Sequence, residues 1–490
     1  MSRNKLSRRL LMLSAALTLA MSQTAFAGET VELNLQEAME RAFNTNPAIS
    51  IAGYNVQSAK AGLDAARSSH LLSITANHQS QRGGLNDDVY VPRHFEFDPA
   101  TGGNKIVGGY YAEKIQEKHS NSVTATLPIY TGGKIRGTVR QAKANYMAVV
   151  EGKQKAYNDM RATVTTGYCD LLQAGNMQQL GRESVQRLED HLKNVKAQYD
   201  VGVVAKADVL RSQVELSNAQ QSLIQAENAY QVAEANLNRI VGLPMDTTLK
   251  LDNILTYSEY TEDMAYCLDY ASKYRPELEQ ARQGVEAAKG ALMVARSGHM
   301  PQIGASATQS WSDSEWPGDE NGEWGVGVSV SLNVFDSGVT WSKINGAKAD
   351  LAAAEETYRD TVTAVDLDVR NSYLSMREAE KRIQTTQTAV SLAEEDYRIA
   401  QVRYMAGVGT NTDVLDAQVA LTQAKTNYLQ AMYDYNTSKI ELENAIGVPM
   451  VFPTKVTVEP QKEALAKAEQ EVNKTTEEAA NEKPAEEAAK

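Results

Sequence analysis

Two stretches of this chain, Tyr199 to Gln213 and Tyr404 to Gln418, share the pattern Tyr-x-x-Gly-x-x-x-x-x-Asp-Val-Leu at an offset of 205 residues. The same offset aligns Val241-Gly-Leu-Pro-Met with Ile446-Gly-Val-Pro-Met, Tyr168 with Tyr373, and Leu127 to Gly133 with Leu332 to Gly338. Upstream the offset becomes 229, pairing Asn46-Pro47 with Arg275-Pro276 and Ala66-Arg67-Ser68 with Ala295-Arg296-Ser297. The first copy therefore carries 24 extra residues between Arg67 and Leu127. A register held over more than 100 residues is a duplication, so the two copies must share one fold.

Within each copy the hydrophobic period changes. From Leu35 to His70 the pattern is helical, with a break or bend near Pro47. It then alternates: Leu72, Ile74 and Ala76 are apolar against Ser73, Thr75 and Asn77, and Val123, Ala125, Leu127 and Ile129 against Thr124, Thr126 and Pro128. In the second copy Ile303, Ala305 and Ala307 alternate with Gln302, Ser306 and Thr308. Val326, Val328, Val330, Leu332 and Val334 alternate with Gly325, Gly327, Ser329, Ser331 and Asn333, as in a strand between lipid and a watery lumen. Strands are expected at 71–81, 120–130, 301–312 and 324–335.

After Gly133 and Gly338 the helical period returns, and 134–201 and 339–406 contain no Pro. Each such helix reaches on the order of 100 Å. Shorter helices at 206–241 and 412–446 are heptad-patterned. Val209, Leu216, Leu223, Tyr230 and Leu237 recur every seven with Ala219, Ala226, Ala233 and Ile240 between, and Val414, Leu421, Tyr428, Tyr435 and Leu442 repeat this with Ala417, Ala424, Ala431 and Ala445. Large residues alternating with Ala permit close coiled-coil packing. Two short helices end to end match one long helix, which predicts a rod with strands at one end and the turns 200–207 and 405–412 at the other.

Arg3, Lys5, Arg8 and Arg9, the apolar stretch Leu10 to Met21, and Ala25-Phe26-Ala27 mark residues 1–27 as a secretory signal. The expected division is then 28–245 for the first repeat, 246–262 for a linker, 263–455 for the second repeat, and 456–490 for a flexible tail rich in Glu, Ala and Lys. Beyond the signal there is no run of 18 apolar residues for a transmembrane helix. The formal charge is −13, near −17 without the signal's four basic residues, which argues against nucleic acid and for a cation-facing surface. Aromatic residues make up only 7%, too few to fill a large globular core.

Four strands cannot close a membrane barrel, the smallest of which have about eight. An open edge in lipid costs several kcal/mol per unpaired backbone group, so strands that span must be completed by other copies. Two copies supply eight strands and three supply twelve; a lumen wide enough for cargo favours three or more.

The doubled organisation, Asn46-Pro47-Ala48-Ile49, the Tyr-x-x-Gly-x-x-x-x-x-Asp-Val-Leu turns and the closing Gly-x-Pro resemble the TolC family of outer-membrane efflux proteins over about 31–455. The resemblance implies a mixed α+β membrane protein: an antiparallel long-helix coiled-coil barrel, with four strands per chain entering a trimeric twelve-stranded transmembrane β-barrel. It implies a homotrimer in outer-membrane lipid with a long periplasmic extension, docked to a periplasmic adaptor (membrane fusion) protein and an inner-membrane pump of RND or ABC type, for drug efflux or type I secretion. The turns at Gly202, Val203, Gly407 and Val408 would meet the adaptor. Asp208, Tyr404, Asp413 and Asp416 match the family's periplasmic gate, where Tyr and Asp form latch hydrogen bonds and paired Asp residues line the constriction. The position of the family's latch arginine is Gly409 here, with Lys206 as a candidate substitute.

Each Gly–Asp pair also has a plain structural role, since Gly ends one helix and an acidic residue begins the next. Asp413 and Asp416 lie three apart on one face, and symmetry copies would form carboxylate rings that select cations, bind divalent ions and raise one another's pKa. The segment 80–120 is expected to be a long outer loop, and Trp311, Trp316 and Trp324 an interfacial girdle. No catalytic or cofactor-binding pattern is present: the six histidines lack metal-ligand spacing, and no G-x-S-x-G or phosphate loop occurs. The alternative from another class is a secreted periplasmic coiled-coil adaptor or envelope tether without a pore.

Overall fold

The computed structural model describes residues 30–448. The expected signal 1–27 and tail 456–490 lie outside the described residues.

Strand β1, Thr30–Leu33, leads into α1, Leu35–Thr45. Asn34 accepts from the Glu37 N–H at 2.8 Å while the Glu37 carboxylate reaches back to the Asn34 N–H, a capping box. Pro47 opens α2, Pro47–Ser68, at a position whose N–H would be unpaired in any case. Asn46 joins the two: its side chain accepts from the Ala48 N–H at 3.0 Å and donates to the Ile240 carbonyl at 3.1 Å. The break expected near Pro47 divides Leu35 to His70 into two helices.

Next come β2, Ser73–Val91; β3, His94–Asp98; β4, Gly103–Val107; and β5, Tyr110–Tyr130. Two helices, α3, Lys134–Asp200, and α4, Lys206–Val241, precede β6, Thr248–Leu251. The second copy follows as α5, Met264–Tyr274; α6, Pro276–Arg296; β7, Gln302–Asp313; β8, Glu323–Ser331; α7, Val339–Met405; and α8, Asn411–Ala445. Arg275 stands where Asn46 stands in the first copy, and it donates to the Asn444 carbonyl at 3.0 Å. The same helix-end contact is made twice with different chemistry.

Strands β2, β5, β7 and β8 form one antiparallel sheet in that order. Three expectations need correcting. The segment 80–120 is not one long loop, because β2 and β5 stay paired as far as Val91 and Tyr110 and a small β3–β4 hairpin crowns them. Alternation fails as a signal there, and the backbone pairing itself defines the hairpin. Strand β8 ends at Ser331, short of 335, because its partner β7 starts opposite it at Gln302. The stretch 246–262 contains β6, which pairs in parallel with β1.

The β7–β8 turn folds back on the sheet. Asn121 donates to the Pro317 and Gly318 carbonyls, both at 2.9 Å, and Trp316 stands edge-on to His78 and His119.

The helices make a wall one helix thick. Along the half nearer the strands the order of contact is α2, α3, α6, α7; along the other half it is α4, α3, α8, α7. Between the halves a belt core gathers Leu33, Ala38, Ile49, Val164, Tyr168, Leu237 and Leu249. Tyr168 is fully buried there, accepting from the Asp252 N–H at 2.8 Å and donating toward the Leu33 carbonyl at 3.1 Å. Heptad residues of α8 such as Val414, Leu421, Tyr435 and Leu442 are buried because α8 is flanked by both α3 and α7. No helix among the described residues is long and apolar enough to cross a membrane.

Closest approach in the wall is at Gly137 and Gly290, where an added Cβ on Gly290 would lie 2.8 Å from the Gln141 nitrogen and 2.9 Å from the Gly137 carbonyl oxygen. At Gly175 it would meet only the Tyr230 ring at 3.5 Å, an ordinary contact. Gly290→Ala should therefore cost about 1–3 kcal/mol through overpacking. Gly175→Ala should be neutral or stabilising by up to about 1 kcal/mol from helix propensity. Thermal unfolding of the two variants side by side checks this.

Candidate functional site

At the end of the wall remote from the sheet, α3 turns into α4 and α7 into α8. Both long helices stop at a left-handed glycine, Gly202 with φ 79° and Gly407 with φ 74°. The turns close alike: the Val203 N–H donates to the Gln198 carbonyl at 2.9 Å and the Val408 N–H to the Arg403 carbonyl at 3.0 Å, the bond that satisfies a helix's last carbonyls. Val201, Val203, Met405 and Val408 point outward, leaving an exposed apolar tip.

Gly409 lies against Arg403 and Tyr404, where an added Cβ would come within 3.0 Å of the Tyr404 nitrogen. An arginine there would displace the turn. Lys206, the suggested substitute, makes no ion pair among the described residues. The cation that bridges the two hairpins is instead Arg211 of α4, whose Nη1 donates to Thr412 Oγ1 of α8 at 2.5 Å. Arg211, Glu215, Thr412, Leu415, Asp416 and Val419 line an open groove of about 300 Å³. Asp416 thus lies beside a guanidinium as well as one turn from Asp413.

Asp413 works first as a helix cap. Its N–H donates to the Thr410 hydroxyl oxygen at 3.1 Å, and its carboxylate accepts from the Thr410 N–H at 3.0 Å. Those Thr410 bonds, with help from the Arg403 charge, hold its carboxyl below the usual carboxylate range. The rise expected from symmetry copies concerns an assembly; in the single chain the donors at the helix start set the direction.

Tyr404 is buried against Val195, Ala400, Val414 and Ala417. Its hydroxyl has no hydrogen-bond partner, and burial followed by the Asp208 charge pushes its pKa up. Among the described residues Tyr404 makes no hydrogen bond to Asp208. Asp208 ties the hairpins through its backbone: its carbonyl accepts from Asn411 Nδ2 at 3.2 Å and from the Ser212 hydroxyl at 2.9 Å. Asn411 Oδ1 in turn meets His191 Nε2 at 2.7 Å and Ser212 Oγ at 3.2 Å. A second buried polar contact, Gln418 to Ser184 at 3.4 Å, joins α8 to α3 two turns on.

None of His191, Ser212, Asn411 or Arg211 was singled out from sequence, although the heptads held a signal. Ser212 occupies the position filled by Ala219, Ala226 and Ala233 in later heptads, and His191 falls between Leu188 and Val195 on the buried stripe of α3. A polar residue at a core position of a coiled coil needs a partner.

A sequence model of the outer membrane efflux protein family matches residues 38–243 and 268–448. The chain belongs to that family. It is 25% identical over 343 residues to the outer membrane protein TolC of Escherichia coli (strain K12), covering 67% of this chain and 69% of that one. TolC of Vibrio cholerae is 24% identical over 315 residues, 63% of this chain and 70% of that one. The Campylobacter jejuni CmeC outer membrane channel superposes with a TM-score of 0.72 at 16% identity, covering 88% of each chain. The outer-membrane channel OprN gives 0.70 at 18% identity, over 84% of this chain and 89% of that one. This is therefore an outer-membrane efflux channel protein with an elongated periplasmic helical part, and the pore-free tether reading is set aside.

Asn411→Ala removes the group that satisfies His191, Ser212 and the Asp208 carbonyl together, and should ease opening of the α7–α8 turn by about 1–3 kcal/mol. Thr410→Ala, which removes a cap alone, should cost about 1 kcal/mol. The rate of trypsin cleavage after Arg403 reads both.

Proposed function

We propose that three copies of this chain close a twelve-stranded barrel in the outer membrane and continue it as a helical tunnel into the periplasm. The supporting observation is the β2-β5-β7-β8 sheet, which among the described residues has two free edges and bears exposed apolar side chains such as Ile74, Val326, Val328 and Val330. In hydrocarbon such edges must be paired, and only closure with further strands pairs them all. The uncovered face of the long α7 is the matching helical edge, with Leu367, Leu374, Leu392 and Val402 exposed.

The tip then faces the inner membrane. Gly202, Val203, Gly407 and Val408 form an apolar docking point for a periplasmic adaptor, which links the channel to an inner-membrane pump of RND or ABC type. Relatives in Pseudomonas putida carry the names antibiotic efflux pump and toluene efflux pump outer membrane protein. By that likeness the cargo here is small molecules leaving the periplasm, with protein export by type I secretion as the other use of the same architecture. Asp208, Tyr404, Asp413 and Asp416 form the gate region. Asp413 and Asp416 are exposed on one helix face, and threefold repetition makes them rings of carboxylate that favour cations.

Single-channel recording in planar bilayers tests this. Wild-type protein should give small, cation-selective steps blocked by Mg²⁺. Asp413→Asn/Asp416→Asn should give steps several-fold larger, less selective and insensitive to Mg²⁺. Unchanged steps in the double variant would put the constriction elsewhere, and protein that never inserts would refute the pore.

A further inference from the structure

Beside the apolar cluster around Tyr404, the tip encloses a polar one. His191, Ser212 and Asn411 are respectively 3%, 0% and 4% exposed, and they come from α3, α4 and α8. Their bonds have a fixed direction. Asn411 Nδ2 must face the Asp208 carbonyl, which only accepts, so Asn411 Oδ1 faces His191 and the imidazole carries its proton on Nε2. Nδ1 is left as a bare lone pair with no partner among the described residues. A second proton would go there and put a charge on a side chain only 3% exposed, with no protein acceptor at that nitrogen among the described residues.

The charged and titratable groups around the ring do little to receive that cation. Asp208 of α4 contributes its backbone carbonyl to the network, while the Asp413 carboxylate of α8 is engaged at Thr410, with Arg403 beside it. Tyr404 of α7 packs its ring 5.4 Å from the imidazole and stays neutral, its hydroxyl pKa raised by burial. Arg187 lies one turn back on α3 and adds positive charge. No carboxylate pairs with His191 among the described residues.

We propose that His191 is an acid-sensitive bolt between the hairpins: neutral, it ties the first turn of α8 to α3 and α4, and protonated, it releases that turn. The proposal rests on the reading of this tip as the channel's gate, and it names the signal that loosens it. Burial lowers the pKa of His191, outweighing the opposing bond to Asn411. The closed tip is therefore fully stable above the pKa of a solvated histidine and loses stability as pH falls below it.

Hydrogen–deuterium exchange on the full-length assembly in detergent, corrected for intrinsic rates, measures this over the first turns of α4 and α8. Between about pH 7.5 and about pH 5, protection in wild type should fall by up to about 30-fold, the limit for a group that titrates near 6.5 only when opened. His191→Gln keeps an N–H for Asn411 but does not titrate, so its protection should not respond to acid. Asn411→Asp places a carboxylate on the imidazolium and should move the loss to lower pH. A wild type indifferent to acid overturns the proposal, as does a His191→Gln response equal to wild type. Should His191→Gln be open at both pH values, Asn411→Asp decides, and no shift there overturns it. Failure of the channel reading would appear separately, as absent conductance with this exchange pattern intact.

Discussion

Along the outer edges of β2 and β8, alternate residues present an N–H and a C=O with no strand partner among the described residues. Water can satisfy those groups; hydrocarbon cannot. For a member of an outer-membrane channel family, that difference governs the rest of the molecule. It makes the protomer an incomplete object, explains why aliphatic side chains stand uncovered on β8, and links the duplication to assembly. Each copy contributes one hairpin to the sheet, and the bare edges at its two ends are what the proposed ring of copies would pair.

The helical wall obeys the same logic with side chains in place of backbone. A layer one helix thick has no interior, so each helix buries only its seams. Glycine and alanine at the seams let the axes approach, most closely at Gly137 and Gly290. The two copies are not equivalent in this wall. Helix α8 is enclosed by α3 and α7 and buries most of its heptad residues, whereas α4 is flanked on one side and leaves Leu210, Val214 and Ile224 exposed. One repeat has therefore diverged toward the inside of the layer and the other toward its edge.

Much of this was legible in the sequence. Equal spacing of Gly202 and Gly407 from their aspartates located both turns, and alternation at Val326 to Val330 identified a strand. What escaped had physical reasons. The outer half of the β2–β5 hairpin carries no apolar–polar alternation, and its pairing is made by backbone groups that a side-chain pattern does not report. The β1–β6 pair joins segments over 200 residues apart through four short residues each, below what a period can reveal. At the tip, the residues named from resemblance are present, but their bonds differ: the buried Tyr404 hydroxyl has no hydrogen-bond partner among the described residues, Asp413 caps a helix, and the hairpins are held by His191, Ser212, Asn411 and Arg211. A motif fixes where a turn lies; which side chains close it depends on contacts between helices far apart in the chain.

The polar bolt also fits the energetics of a gate. An apolar seam would close the tip with a strength insensitive to conditions, whereas a buried hydrogen-bonded cluster is strong only while every member is satisfied. Such a device suits a tip that must be shut at rest and yet open. All of this presupposes that other copies complete the bare sheet edges, and native mass spectrometry of protein extracted from outer membranes tests that most directly. The account predicts an assembly of three times the mature chain mass that survives detergent; a stable monomer recovered from the membrane would contradict it.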